Sequence, residues 1–119
     1  LHPVWEGKVG WIATGRNSLK TKHLAGNPNV ALGYWTPEHD TVMAQCRAEW
    51  ADDAATKQRI WNLLERTPEP VGYDPILFWK GGVGDPTFGV LKLTPFRIEL
   101  LTGAEMATGQ GPKVWKAKP

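Results

Sequence analysis

Residues that could bind a phosphate group lie close together near the start of the chain. The segment ATGRNSLKTKHLAGNP, at positions 13–28, concentrates hydroxyls and cations within nine residues, namely Thr14, Arg16, Ser18, Lys20 and Lys22. They follow an apolar stretch and stand at the start of a predicted short helix, residues 18–25. A helix N-terminus carries partial positive charge and free backbone N–H groups, and lysine or arginine adds a full charge. This combination indicates an anion site, whereas the alternative is an ordinary surface helix with solvated lysines.

Other kinds of catalytic or metal site find little support in the sequence. His2, His23 and His39 are too far apart for the spacing of metal ligands, so no metal site is predicted. Ser18 is the only serine, and no Ser–His–Asp arrangement follows from the spacing. The glycines of GGVGDPTFG match neither a dinucleotide fingerprint nor a P-loop. If the protein is an enzyme, its chemistry is therefore expected to come from a cofactor, and no catalytic residue is predicted.

Composition limits the class of protein and its partners. The chain has 119 residues, of which 41% are hydrophobic and 22% charged, which predicts one globular domain over residues 1–119. A net charge of +2 favours a small-molecule ligand over nucleic acid, whose binding proteins carry a denser basic face. We expect no membrane association, because no apolar run approaches the roughly 20 residues that span a bilayer and no leader is recognisable. The single cysteine, Cys46, excludes an internal disulfide and favours a cytoplasmic location.

Local patterns predict two strands and a short helix in the first part of the chain. The strands are expected at 9–14 and 29–35, and Asn17 or Ser18 would cap the helix between them, which Gly26 would end. The opening letters HPVW also have the character of a strand, but no strand precedes them to pair with. We therefore expect this sequence to lack the first strand of its native domain.

The middle of the chain predicts a long strand followed by a longer helix. Residues 42–50 alternate, and one face of this strand is expected to carry Val42, Ala44, Cys46, Ala48 and Trp50. The helix is expected within residues 51–68, where Asp52 or Asp53 can cap its start. Its apolar stripe consists of Ile60, Leu63 and Leu64.

The last part of the chain predicts a loop and two strands. Residues 66–87 are rich in proline and glycine and contain three aromatic anchors, Tyr73, Phe78 and Trp79. Two strands are expected at 88–94 and 96–102, separated by Pro95. The tail, 103–119, is expected to be mobile unless a partner holds Trp115. Seven tryptophans in all either fill the core and an interface or form the walls of a pocket for a flat ligand.

The segment WIATGRNSLKTKHLAGNPNVALGYW resembles the flavin-binding segment of the pyridoxamine 5'-phosphate oxidase-like split barrels, including their general stress protein branch. The shared pattern is a strand ending in Thr, Ser-x-Lys opening a helix, then Leu and Asn-Pro, here Thr14, Ser18, Lys20, Leu24 and Asn27–Pro28. The segments DDAATKQRIW, FWKGGVGDP and LKLTPFRIEL resemble the stress-protein branch, so the resemblance covers nearly the whole chain. It implies a mainly β fold, a six-stranded antiparallel split β-barrel with flanking helices, and a homodimer that holds FMN between its subunits.

The resemblance also implies which residues hold the FMN phosphate. These are Lys20, with Thr14 and Ser18 beside it. The oxidase carries an arginine between the Ser and the Lys, where this chain has Leu19. Arg16 or Lys22 is expected to replace that charge, so both belong to the predicted cofactor site.

A second set of residues is implied to line the flavin ring. Backbone and ring contacts are expected from Ala13 and from the opening strand, Pro3, Val4 and Trp5. Thr41 falls near the position of a glutamine that touches the flavin in the oxidase. An aromatic residue of the second subunit, Trp79 or Trp115, is suggested to close the site, although no motif supports this suggestion.

The departures from the oxidase pattern concern its substrate. The oxidase ends its first strand in a lysine and carries Tyr, Arg and Ser on the later helix, which together grip the phosphate of vitamin B6. Trp5 takes the first place here, and Arg59, Leu63 and Thr67 fall near the other three. Leucine cannot bind phosphate, so the resemblance implies a retained cofactor site without vitamin B6 oxidation.

Four functions follow from these expectations. The first is an FMN-dependent oxidoreductase acting on an unidentified small molecule. The second keeps the fold but uses a deazaflavin, whose long phosphorylated tail would suit Arg16 and Lys22. The third is a flavin-binding stress module without turnover. The weakest is a single-strand nucleic-acid binder, because the basic residues are not clustered with the aromatic ones.

Overall fold

The computed structural model describes residues 3–17, 19–69 and 71–117, and for residues 19 and 20 the backbone only. In these ranges the strands are β1 Val4–Glu6, β2 Val9–Gly15, β3 Asn29–Trp35, β4 Thr41–Trp50, β5 Phe88–Leu101 and β6 Lys113–Lys116. The α-helices are α1 Leu19–Gly26, α2 Ala54–Arg66 and α3 Gly103–Ala107. The strands form one sheet in the order β1–β2–β5–β4–β3, and β6 also pairs with β5. The pairs β1–β2, β2–β5, β3–β4 and β5–β6 are antiparallel, which confirms the predicted mainly β fold class with flanking helices.

The chain divides into two compact units, and the first comprises residues 1–28 and 48–93. Its core packs the inner faces of β2 and β5 against the apolar stripe of α2, with Trp11, Phe88 and Ile60 all buried. The predicted stripe of α2 is confirmed, because its leucines are buried as well. Asp53 rather than Asp52 caps this helix, since its carboxylate accepts a hydrogen bond from the backbone N–H of Thr56 at 2.9 Å.

The second unit comprises residues 29–47 and 94–119. Here β3 runs antiparallel to β4, and the alternation predicted for β4 is confirmed because Ala44 and Cys46 are buried while Met43 and Gln45 are exposed. Burial raises the pKa of the Cys46 thiol, so it stays neutral and acts as a small core residue. A capping box, in which Thr102 and Glu105 exchange hydrogen bonds between side chain and backbone, starts α3.

One prediction for the end of the chain is corrected. Pro95 does not separate two strands, because β5 runs without a break from Phe88 to Leu101. The residue lies after Leu93, the last one paired with β2, and before Arg97, the first one paired with β6. Its missing N–H therefore interrupts neither of these two ladders.

The tail also contains two elements that the sequence did not predict, α3 and β6. In β6, Trp115 lies opposite Ile98 of β5, so a strand of the same chain holds it. Among the helices described here, none is long and apolar enough to cross a membrane.

Candidate ligand-binding site

A concave surface of the first unit brings the end of β2 beside the loop that precedes β5. It encloses about 390 Å³ and is lined by Ala13, Thr14, Gly15, Tyr73, Phe78 and Trp79, and we call it the aromatic cleft. None of these residues is charged at neutral pH, and burial raises the pKa of the Tyr73 hydroxyl further above its usual value. The volume falls within the roughly 300–1,000 Å³ of small-molecule sites. The aromatic cleft therefore suits a flat and largely apolar group.

The aromatic wall of the cleft is anchored in the core of the first unit. The ring of Trp79 packs edge-on to the fully buried Phe88, with centroids 5.0 Å apart. Phe78 continues the wall towards solvent, at 5.4 Å from the ring of Tyr73. Edge-on packing of this kind fixes ring orientation as well as burying area. The wall is thus supported from behind by the core and is open on the Phe78 side, where the side chain is 68% exposed.

The backbone carbonyl of Thr87 joins the two walls of the cleft. It accepts a hydrogen bond from the indole Nε1 of Trp79 at 3.2 Å and another from the backbone N–H of Arg16 at 2.8 Å. Asp85 holds Thr87 in turn, accepting from its backbone N–H at 2.9 Å and its hydroxyl at 2.8 Å. These hydrogen bonds to Thr87 lower the pKa of the Asp85 carboxyl. The strand end and the aromatic loop are therefore fixed relative to each other.

Among the predicted ring-lining residues, Ala13 lies in the cleft wall, whereas Pro3, Val4 and Trp5 are not among the residues that line it. Val4 and Trp5 pair with Trp11 and Gly10 of β2, towards the other end of that strand. Pro3 and Val4 are buried, whereas Trp5 is 39% exposed. Of these three residues, of which Val4 and Trp5 belong to β1, Trp5 is the one whose side chain is exposed.

The residues predicted to bind phosphate differ in their burial and location in the structure. Thr14 is buried in the cleft wall, and Lys22 lies exposed on α1. Ser18 and the side chain of Lys20 are outside the described residues. The backbone of α1 begins at Leu19, four residues after the end of β2. The cleft therefore opens next to the turn that carries the predicted anion site.

Arg16 makes a set of contacts that the sequence did not predict. Its guanidinium donates two hydrogen bonds to the carboxylate of Asp52, from Nε at 3.1 Å and from Nη2 at 3.3 Å. It also lies over the ring of Trp50, 4.3 Å from the centroid. No local sequence signal reveals this pair, because its two members are 36 residues apart. The positive charge of Arg16, which was expected to replace the arginine that the oxidase has in place of Leu19, is thus paired with the carboxylate of Asp52.

Thr41 belongs to the second unit, where it begins β4. Its hydroxyl donates to the backbone carbonyl of Leu101 at 3.4 Å. A contact between Thr41 and a flavin stays a prediction.

The suggestion that Trp79 closes the site of a second subunit stays a prediction, and within its own chain Trp79 has a defined place. Trp79 is 8% exposed and packs on Phe88 of its own chain, so it forms part of the cleft of the same subunit. The sequence predicted Trp79 as one of three aromatic anchors of this loop, without a motif for a role in a second subunit. It did not predict which surface the anchors line.

Three residues fall near the positions where the oxidase is expected to bind the phosphate of its substrate, and each contacts other residues of this chain. Leu63 is buried in the core. Arg59 donates to Glu6 at 2.6 Å, and this hydrogen bond is the main cause that lowers the pKa of the Glu6 carboxyl. The hydroxyl of Thr67 donates to the backbone carbonyl of Leu63 at 2.6 Å. Arg59 and Thr67 thus already have partners within the chain, and Leu63 has no group that could bind a phosphate.

Solved structures share this fold. A protein from Clostridium acetobutylicum, related to general stress protein 26 of B. subtilis and of the pyridoxinephosphate oxidase family, has a TM-score of 0.71 and 16% identity, over 95% of this chain and 70% of that one. General stress protein 26 from Bacillus anthracis has a TM-score of 0.63 and 21% identity, over 97% of this chain and 74% of that one. The chain has the split-barrel fold of these proteins. The resemblance predicted from the Ser-x-Lys segment is therefore confirmed at the level of the fold.

A third structure with this fold is named for its cofactor. It is a pyridoxamine 5'-phosphate oxidase-related, FMN-binding protein from Nostoc punctiforme, with a TM-score of 0.58 and 14% identity, over 98% of this chain and 76% of that one. No family model matches the sequence, and no curated protein does.

Proposed function

We propose that this split barrel is a flavin-binding member of the pyridoxamine 5'-phosphate oxidase-like family and a flavin-dependent oxidoreductase acting on a small molecule. The observation that carries the proposal is the position of the aromatic cleft. Its strand wall, Ala13 to Gly15, leads directly into the turn before α1, where the sequence has its hydroxyls and lysines. A ligand with a flat ring and a phosphate matches this pairing of an uncharged cleft with a cationic helix start.

The described residues of the cleft suit the ring end of FMN, and the sequence of the adjoining segment suits its phosphate. The uncharged aromatic wall suits the flat isoalloxazine ring, which Tyr73 and Trp79 would shield from water. Thr14, Ser18 and Lys20 would bind the phosphate, and the exposed Lys22 would add a weaker, solvent-screened attraction. Bound FMN supplies the electron or hydride transfer, while the protein binds and orients it. Backbone contacts from Pro3 and Val4, a ring contact from Trp5 and a contact from Thr41 belong to the same proposal.

Vitamin B6 oxidation is not part of the proposed function. The three replacement positions, Arg59, Leu63 and Thr67, are occupied by an ion pair, a core contact and a helix hydrogen bond. A substrate without a phosphate at that place is therefore favoured. A cytoplasmic location, which the single Cys46 favours, is included in the proposal.

The test is the absorption spectrum of freshly purified protein, followed by mass analysis of any small molecule that heat releases. Released FMN supports the proposal, and a released deazaflavin replaces the cofactor on the same fold. Bound flavin that no nicotinamide donor or screened substrate reduces indicates a module without turnover. A colourless protein that also fails to bind added FMN and deazaflavin overturns the flavin proposal.

Substitution of Lys20 by alanine tests the phosphate site. A charge-assisted hydrogen bond to phosphate contributes about 1.5–3 kcal/mol, so we expect Lys20→Ala to weaken FMN binding roughly 10- to 150-fold. Quenching of FMN fluorescence on titration measures this affinity. Lys113→Ala is the matched control, because it makes the same charge change on β6 of the second unit. Equal affinities of the Lys20 variant and wild type would remove Lys20 from the site.

The proposal includes a homodimer with the flavin at the subunit interface, as the family resemblance implies. Light scattering coupled to size-exclusion chromatography should give a molar mass near twice the chain mass of 13.2 kDa. A monomer at micromolar concentration that still binds FMN would place the complete site within one chain.

A further inference from the structure

We propose that Arg16 is a positioning residue: its ion pair with Asp52, the Arg16–Asp52 clamp, fixes the turn from which α1 and the anion site start. This inference rests on the proposed function as far as the ligand is concerned. It departs from the expectation that Arg16 itself binds phosphate, and it follows from the contacts of Arg16 on both its side chain and its backbone.

The side chain of Arg16 is held by groups from a separate part of the chain. Nε and Nη2 donate to the two carboxylate oxygens of Asp52, at 3.1 and 3.3 Å, and this uses the forked edge of the guanidinium. The guanidinium also stacks on Trp50 at 4.3 Å. Trp50 ends β4, and Asp52 directly precedes Asp53, which caps α2. The clamp therefore connects the turn before α1 with the turn before α2.

The backbone of Arg16 is held as well. Its N–H donates to the carbonyl of Thr87 at 2.8 Å, and its carbonyl accepts a hydrogen bond from the hydroxyl of Thr21 in the first turn of α1. Arg16 thus lies between the cleft wall on one side and the helix on the other. A shift of this residue would move both.

The helix α1 depends on such an anchor because its described side chains, from Thr21 onward, are at most half-buried. It has eight residues, and no side chain from Thr21 to Gly26 is buried. A helix of this length is not stable alone, and most helices are held by an apolar face against a core. For the described part of α1, the fixed turn at Arg16 supplies stability that fully buried side chains would otherwise provide. Any group that Ser18 and Lys20 hold would therefore be placed through Arg16.

Removing the charge of Asp52 distinguishes the two roles of Arg16, because each role predicts an opposite change in FMN affinity. If Arg16 bound phosphate directly, Asp52→Asn would remove a competing carboxylate and leave FMN binding equal or tighter. If the clamp positions α1, Asp52→Asn weakens FMN binding about 3- to 10-fold, and Arg16→Gln weakens it similarly. The double variant should then bind FMN no more weakly than either single variant, because each removes the same contact. FMN titration of the full chain measures all three.

Asp53→Asn is the matched control for this series. It makes the same charge change one residue away, and asparagine still caps a helix, so FMN affinity should equal that of wild type. An Asp52→Asn variant that binds FMN as tightly as the Asp53→Asn control overturns the clamp.

A measurement without ligand separates the clamp from the flavin proposal. In the ligand-free protein, Asp52→Asn should speed hydrogen exchange of the α1 amides at residues 23–26 several-fold relative to those of α2. Unchanged exchange in α1 overturns the clamp even if FMN binds. If the protein binds no FMN, the proposed function fails, and the exchange experiment still decides for or against the clamp.

Discussion

Replacing Phe88 by alanine is expected to lower the free energy of unfolding by about 3–5 kcal/mol. Phe88 is fully buried at the start of β5. Its ring meets Trp61 of α2 and Trp79 of the loop, each with centroids 5.0 Å apart and near-perpendicular planes. Alanine would leave a cavity between two large rings that cannot both collapse into it. Urea unfolding followed by tryptophan fluorescence measures the loss as a lower midpoint with an unchanged slope.

Phe78→Ala is the matched control, because it makes the same substitution ten residues earlier in the chain. The side chain of Phe78 is 68% exposed, so we expect a loss below about 1 kcal/mol. The comparison also bears on the aromatic cleft, since Phe88 supports Trp79 from behind. Similar losses for the two variants would contradict the assignment of Phe88 to the centre of the core.

Replacing Gly89 by alanine is expected to destabilise the protein by about 1–3 kcal/mol. Gly89 of β5 lies opposite Thr14 of β2. A Cβ at this position would come within 2.6 Å of the Trp50 ring, 2.9 Å of the Thr14 carbonyl oxygen and 3.2 Å of the Arg16 Cα. Two of these neighbours are backbone atoms, so a side-chain rotation cannot relieve the clash. The gain of about 0.4–1 kcal/mol from a less flexible unfolded chain is too small to offset it.

Gly111→Ala controls for that effect on the unfolded chain. A Cβ at Gly111 would meet nothing within 4 Å, so the free energy of unfolding should stay within about 0.5 kcal/mol of wild type. Thermal unfolding of the wild type, Gly89→Ala and Gly111→Ala measures the difference in stability. A Gly89 variant as stable as the Gly111 variant would show that β2, β5 and Trp50 are less closely packed than described here.

Much of the fold follows from local patterns. The bounds of β3 were predicted as the structure has them, because an apolar run ends at a turn on both sides. The alternation of β4 predicted its buried face, and the apolar stripe predicted the packing face of α2. These features depend on the two-residue and 3.6-residue periods of strand and helix, which any short stretch of sequence displays. The choice of Asp53 as the cap needed the structure, since Asp52 is chemically equivalent and differs only in position.

Part of the candidate site was also predictable from the sequence, and part of it was visible only in the structure. The segment with Thr14, Ser18 and Lys20 is contiguous, so the sequence by itself predicted an anion site there and indicated the family resemblance. The aromatic cleft joins Ala13 to residues about sixty positions later, and the clamp joins Arg16 to Asp52. Contacts of such separation leave no periodic mark in the sequence.

The sequence by itself therefore determined the buried faces of β4 and α2 and where most helices and strands lie, and it predicted which short segment would bind a phosphate. The tertiary structure decided that β5 continues through Pro95, that residues 113–116 form a strand, and that Trp79 supports a cleft in its own chain. It also decided that the charge of Arg16 is matched by Asp52. The physical reason is the same in each case. Whether a proline is tolerated, a tail pairs or a cation is neutralised depends on the neighbour that the fold brings to it, and that neighbour lies far away along the chain.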